Sequence, residues 1–557
     1  MLVSLVAAAR PADGRESGLP PVPRIPGPFP GRWREIIPGR HLEAAVTVRF
    51  SVTVRQVRED GTEAPLEAEL AAALAAPFEQ FAGLAAWAAD EARYLDHGDR
   101  EKLIADEGRD LNRKFLKATF DLDAAREERA SGVTSAAGVR HGSIEKGCTR
   151  GLASIFGPVT VTRMAYRNWQ EPSLHPADAR QVLPEDPYSL GMRALAARHL
   201  ARTGFGQAQE DIEKLTGVKI GVSQLAGIAA DLARWTGDFY AERARDADED
   251  PPAGDVIMMQ GDGKGIAMRP EHRRKTGKED GTRPGIKKMA EIVAVADFTP
   301  AVREPEDIAA PPARRRAHPG PKARDKWVSA SVTESIEDMI AAAYDEADRR
   351  DPEHVRQRVF LVDGNKQQIT AIEAQAGERG LEVPVLIDYI HVSGYLGKAA
   401  AALHPGDPVT AGQWADGQLL RVLHGRAKAV AATLASVARK TRASTRKRDL
   451  DLTDIDKAVT YLENNRQHMK YDKALAKGWP IATGMIEGSC RYVIEDRSGI
   501  TGARWSPEGA ETILKIRAVV VNDDLDDYMT YYKNRYRNEH HLTRYDEDTI
   551  ERLNLAA

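Results

Sequence analysis

Between Val256 and Val392 the hydrophobic pattern changes period several times, and the order of those changes constrains the fold more than any other feature of the chain. "DVIMM", "AEIVAVADF" and "WVSAS" are apolar runs of strand type. "SIEDMIAAAYDEADRR" then has helical period, "RVFLVD" is strand-like, "QQITAIEAQAGERG" helical and "EVPVLIDYIHV" strand-like again. Strand, strand, strand, helix, strand, helix, strand specifies an α/β arrangement, a mixed sheet covered by helices. In such a sheet the first and fourth strands can be neighbours.

The flanking regions read differently. Residues 1–40 are rich in Pro, Gly and Arg and are expected to form a flexible arm. Region 41–180 reads as α+β of unknown role. Val46, Val48, Phe50, Val52 and Val54 alternate as a half-buried strand, 66–125 is Ala-rich and helical, 131–143 is a polar break, and "GLASIFGPVTVTRMAYR" gives two strands around Gly157-Pro158. Region 186–245 has the outline of a helix-turn-helix. Its last helix carries Leu225, Ile228, Ala229 and Leu232 on one face, with Ser223 as N-cap and Gln224 beside it, although a plain helical bundle fits as well. The α/β region, 250–394, is followed by a helical stretch at 395–479, closing helices at 480–530 and a tail at 531–557.

Bulk properties exclude some classes. A chain of 557 residues is expected to fold as several domains, about three or four. No stretch approaches the roughly 18 consecutive apolar residues of a membrane span. The first residues lack a basic region ahead of their short apolar run, so a signal peptide is not expected. Cys148 and Cys490 stand far apart, which excludes a disulfide framework or a cysteine zinc site and fits a reducing cytoplasm. The formal net charge of -4 leaves nucleic-acid binding to local basic patches.

Three carboxylates stand out. Asp262, in "MMQGDGKG", ends the first strand between two glycines, and Asp363, in "LVDGN", ends the fourth. Glu487 sits on the helix-like "GMIEGSCRYVIEDR". Hard oxygen ligands of this kind suit Mg2+ or Mn2+. Each also has a structural reading: Asp-Gly after a strand is a common turn, and Glu487 fits the third helical position of a cap at Gly484. The glycines beside Asp262 are expected to keep its surroundings open for a metal and a phosphate. Asp388 and His391, in "DYIH", form an acid–base pair or a plain hydrogen-bonded pair.

Together "MMQGDGKG", "LVDGN", "IDYIHV" and "GWPIATGMIEGSCRYVIEDRSGITGARW" resemble bacterial insertion-sequence DDE transposases of the ISKra type, distantly similar to Mutator-like transposases. The resemblance covers roughly 250–525 closely and 186–245 loosely. It implies an RNase H-like mixed sheet with helices on both faces, interrupted by an all-helical insertion, and 123 residues do separate Asp363 from Glu487. It implies Asp262, Asp363 and Glu487 as ligands of two Mg2+ or Mn2+ ions, with Glu495 and Asp496 as rivals for the third place. Asp388 and His391 match an accessory acid-x-x-His motif, and Arg504 and Trp505 lie in the "GARW" segment.

The implied activity is cleavage of element ends and joining of the 3′-hydroxyl to target DNA by two-metal-ion phosphoryl transfer. The partners would be double-stranded DNA, both terminal repeats and target, and further copies of the chain in a dimer or larger multimer. A location on the bacterial nucleoid, with no membrane, goes with this. DNA contacts are expected from Arg439, Lys440, Arg442, Arg446, Lys447 and Arg448, from Arg504 and Trp505, from the basic stretches at 269–288 and 312–326, and from the helix-turn-helix candidate with Ser223 and Gln224. An inactive transposase-derived regulator and an RNase H-like nuclease that cuts without joining remain the alternatives.

Overall fold

The computed structural model describes residues 2–8, 49–57, 63–245, 256–273, 286–309, 317–443, 451–482, 484–500 and 502–556. The chain divides into two compact units. The first comprises Met1–Ala196, Gly206–Val222 and Tyr532–Ala557; the second comprises Ala197–Phe205 and Ser223–Tyr531.

In the first unit, β1 (Leu2–Ala8), β2 (Arg49–Val57) and β3 (Glu63–Pro65) form an antiparallel sheet. Two helices follow, α1 (Ala68–Ala89) and α2 (His97–Arg126). Asp96 caps α2 by accepting the Asp99 N–H at 2.9 Å. After the short pair β4 (Val133–Thr134) and β5 (Arg140–His141) comes a long hairpin, β6 (Ser143–Ser154) and β7 (Gly157–Arg167). The hairpin turns at Ile155-Phe156, one pair earlier than Gly157-Pro158, because Gly157 with φ 118° closes the ladder opposite Ser154. It also begins earlier than its apolar part suggests. Most of β6 lacks buried residues, so its alternation is invisible in hydropathy. Val159 and Val161 of β7 pack with Leu152 and Leu183, and Leu116 and Phe120 of α2 cover them.

The helices of the expected helix-turn-helix exist, but they are divided between the units. Of α3 (Leu190–Leu200), α4 (Phe205–Thr216) and α5 (Val222–Ala233), α4 lies largely in the first unit and α5 in the second. Leu225, Ile228, Ala229 and Leu232 are buried as their spacing requires. Ser223 is not the N-cap, since α5 already begins at Val222; Ser223 and Gln224 are exposed in its first turn.

The second unit is built on a five-stranded mixed sheet. Helix α6 (Thr236–Arg245) precedes β8 (Val256–Ala267), β9 (Lys287–Phe298) and β10 (Ala323–Ser331), which form an antiparallel meander. Helix α7 (Ile336–Arg350) leads to β11 (Gln357–Val362), and α8 (Lys366–Glu378) leads to β12 (Val385–Ile387). The spatial order is β10-β9-β8-β11-β12, with β11 parallel to both β8 and β12. The first and fourth strands are therefore neighbours, as the hydropathy pattern allowed. Met258, Val359, Phe360, Ile372 and Tyr344 are among the fully buried side chains of this core, and apolar burial at about 25 cal/mol per Å² is what holds strands and helices together.

Two sequence boundaries shift. The final strand is three residues long and Asp388 ends it; Tyr389 opens α9 (Tyr389–Leu403), so His391 is helical. Strand β8 does not stop at Asp262. It leaves β11 after Gln260, yet continues beside β9 to Ala267.

Between β12 and the last part of the unit stand α9, α10 (Pro408–Leu423), α11 (Ala427–Ala443) and α12 (Thr453–Asn465), the helical stretch expected at 395–479. Tyr471 anchors this region to the sheet by donating to the Ile387 carbonyl at 2.7 Å. Helix α13 then runs from Gly484 to Ser498, with a π-helical stretch at Cys490–Glu495. It is followed by α14 (Pro507–Val521) and α15 (Leu525–Tyr536). Among the described residues no helix is long and apolar enough to cross a membrane.

Candidate active site

Parallel pairing brings Asp262 and Asp363 to the same end of two adjacent inner strands. Leu361 of β11 is in register with Gln260 of β8. Asp262 and Asp363 each lie two residues further on, so both stand at the same end of the paired strands. Both carboxylates add to the rise in pKa of His391, after the bond to Asp388, and of Glu291, after burial. Asp363 also has the turn role that Asp-Gly suggests, since its Oδ1 accepts the Asn365 N–H at 2.8 Å and Gly364 takes a φ of 104°. The site and turn readings are compatible at this residue.

Helix α13 crosses the face of β8 that displays Gln260, Asp262 and Lys264. Gln260 accepts the Ile486 N–H at 3.0 Å, the Cys490 thiol donates to Asp262 Oδ2 at 3.1 Å, and Lys264 pairs with Glu495 at 2.6 Å. In π geometry the hydrogen bonds span five residues, and residues five apart return toward the same side. That is how Cys490 and Glu495 both face one strand. Burial and the Asp262 carboxylate push the Cys490 thiol far above its usual pKa, so it stays a neutral donor. Glu495 is engaged by Lys264, and Asp496 lies 3.7 Å from Arg491.

Glu487, one turn earlier, is exposed and meets a different pair. Ligand atoms of Asp388, His391 and Glu487 all lie within 4.8 Å of one another. Among the described residues this is the one set of three His, Cys, Asp or Glu side chains so arranged; Asp262 and Asp363 stand outside it. Asp388 is wholly buried; its Oδ1 accepts the Ile390 N–H at 2.9 Å, capping α9, and its Oδ2 accepts from His391 Nδ1 at 2.8 Å. The bond to Asp388 raises the His391 pKa, against burial, with the charges of Asp388, Asp363 and Asp262 adding to the rise. With Nδ1 committed to Asp388, Nε2 is the ring atom left to carry a proton outward.

Three residues near the site were not singled out by sequence, one of them, Glu291, on the far face of β8 from Asp262. Cys490 read as one more apolar position. Glu291 is the register partner of Gly263 in β9, half-buried, with its pKa raised by burial and by Asp262 and Asp363 while Gln368 opposes the rise. Tyr461 of α12 donates to the Asp363 carbonyl at 2.6 Å. None has a local signature, since each meets the site through strand register or helix packing.

The glycines flanking Asp262 serve the opposite face of the strand, which corrects the expectation that they clear space for a phosphate. A Cβ on Gly261 would touch Ile340 and Phe360 at 3.6 Å, beneath α7. A Cβ on Gly263 would come within 3.0 Å of Met289 and 3.4 Å of both Glu291 carboxylate oxygens. A residue larger than glycine there would displace Glu291.

The expected DNA contacts fare unevenly. Arg439 and Lys440 are exposed at the end of α11, and Arg442 pairs with Asp456 of α12. Arg446, Lys447 and Arg448 lie outside the described residues, as do parts of both other basic stretches. Arg504 is exposed. Trp505 is not a surface contact. It is 8% exposed, bridges Met268 through backbone bonds, donates from Nε1 to Ser498 and stacks under Arg497 at 4.9 Å, all of which is packing.

No protein-family model matches the chain, and no curated protein matches it. Among solved structures, the chain is similar to a Drosophila P element transposase strand transfer complex at 10% identity, over 65% of this chain and 84% of that one, with a TM-score of 0.21.

Proposed function

We propose that the chain is a metal-dependent DDE transposase with an RNase H-like catalytic sheet. The observation that carries this reading is the exit of Asp262 and Asp363 from adjacent parallel strands in matching register, with α13 bringing Glu487 to the neighbouring Asp388–His391 pair. The strand order, a three-stranded meander extended by two parallel strands, supports it further.

The donor set fits a hard divalent cation, being mostly carboxylate oxygen with one imidazole nearby. Asp262, Asp363 and Glu487 are the residues that would hold Mg2+ or Mn2+. A pair of such ions, when bound, supplies charge neutralisation at a phosphodiester and at the oxygens entering and leaving it. The protein's own groups do the rest. Cys490 and the Gly263 N–H, 2.7 Å from Asp262 Oδ1, fix the orientation of Asp262. Asp388 fixes the His391 ring, and His391 holds a proton at Nε2 for a phosphate oxygen or the departing 3′-oxygen. Most of the rate would come from positioning and charge, since phosphoryl transfer asks little covalent chemistry of a protein.

The test is incubation of the purified chain, with Mg2+ or Mn2+, with a plasmid carrying its own coding segment and both flanks plus a separate target plasmid. Cleaved ends joined to target, absent with Asp262→Asn, are the expected result. Cleavage without joining would make it a nuclease instead, and no metal-dependent cleavage would refute the reading.

A further inference from the structure

Beside Asp363 lies an open groove of about 470 Å³ that the mechanism above leaves unused. Its floor is Gly364, the next residue along, and Tyr461, whose hydroxyl holds the Asp363 carbonyl. A Cβ on Gly364 would stand 3.0 Å from the Asn465 amide and 3.2 Å from the Tyr461 ring, so α12 packs directly against this turn. Tyr395 joins Tyr461 in a flat aromatic pair, with centroids 4.1 Å apart and planes at 17°.

One stripe of α12 forms a wall. Thr453, Lys457, Thr460 and Asn464 follow each other at spacings of four, three and four, all exposed. They offer hydroxyls, an ammonium that pairs with Asp454 at 3.0 Å and a side-chain amide, and Asp456, which pairs with Arg442, also lines the groove. Lys366, at the start of α8, is a second cation on the lining.

The ligand suited to such a lining has a flat ring, amide-like hydrogen-bonding edges and a negative charge close by. A nucleotide has all three. A base inside a duplex presents neither its face nor its pairing edge, whereas an unpaired one presents both and stacks on aromatic side chains. The volume falls within the roughly 300–1,000 Å³ usual for small-ligand sites. The geometry points to this groove as a seat for an unpaired nucleotide of the DNA strand that runs past Asp363. This inference rests on the transposase reading and deepens it, by giving the helical insertion a share in strand recognition.

The experiment is fluorescence anisotropy on the full chain, with Ca2+ replacing Mg2+, using a blunt labelled duplex and the same duplex with a short single-stranded tail. The tail should tighten binding by about fivefold or more, the lower end of what one stacked base provides. Combined Thr460→Val and Asn464→Ala, at exposed positions, should remove most of that gain and leave blunt-duplex affinity and thermal stability unchanged. A 2-aminopurine in the tail should be quenched on binding by the wild-type chain and less so by the double variant. Equal binding of both DNAs, or a gain that survives the double variant, overturns the groove assignment alone. No binding to either DNA overturns the transposase reading with it.

Discussion

The hydroxyl of Tyr461 donates to the backbone carbonyl of Asp363 at 2.6 Å, joining a helix of the insertion to the turn that carries a site carboxylate. Tyr461→Phe removes that donor and keeps the ring. A loss of about 1 kcal/mol in unfolding free energy is expected, measurable by urea denaturation, and a variant as stable as wild type would show that the bond contributes nothing.

Gly364→Ala tests the same junction from the other side. The backbone there has a φ of 104°, and the added methyl would meet Asn465 at 3.0 Å. Strain and crowding together should cost about 1–3 kcal/mol. A melting temperature within a degree or so of wild type would contradict the close approach of α12 to this turn.

Asp388 and Asp262 should separate in a cleavage assay. Losing a positioning partner of this kind typically costs about 10–100-fold, and losing a direct ligand costs more. Asp388→Asn is therefore expected to retain residual activity and Asp262→Asn to fall below it. The reverse ranking would reassign the two residues. Mn2+ binding followed by electron paramagnetic resonance should weaken in Asp262→Asn independently of turnover.

Much of this was legible beforehand, for a definite reason. Strand and helix order from 256 to 392 could be read because these elements are buried on a regular period, and burial writes itself into hydropathy. The pairing of β8 with β11 was a permitted consequence of that order. Glu291 was not legible, because its relation to Asp262 and Asp363 depends on the β8–β9 register. Cys490 hid among the apolar positions of α13, where its spacing also serves packing. Trp505, named only because it lies in the GARW segment, folds inward, and nothing in its local sequence distinguishes that burial from exposure. The polar β6 left almost no trace.

A buried charge network lies at the opposite end of the sheet. Asp297 pairs with Arg356 at 2.6 Å and with Arg350 at 3.3 Å, and Glu346 holds Arg349 and Arg350 at 2.9 and 2.8 Å. Asp297→Ala leaves two buried guanidinium groups short of a partner. A loss of about 3–5 kcal/mol is expected, read from chemical denaturation, and a loss under 1 kcal/mol would mean the network readily re-pairs.

Stability should depend on pH through His541 of the first unit. Burial pushes its pKa down to about 4 from an ordinary 6.5. Between those values the unfolded chain binds a proton that the folded chain refuses, so this residue's contribution to stability rises with pH from about 4 to 6.5 and is level above. The amplitude is on the order of 3 kcal/mol. His541→Phe should flatten that segment of the stability–pH curve; an unchanged slope would exclude His541 as its source.

The helical stretch between β12 and α13 also has a consequence in time. Asp262 and Asp363 are already synthesised while Glu487 is still untranslated, and at about 5–20 residues per second the ribosome needs roughly 6–25 s to cover the interval. A nascent chain can fold its sheet in that period without holding a complete set of carboxylates. On the transposase reading, a nascent chain is inert toward DNA until Glu487 has been translated.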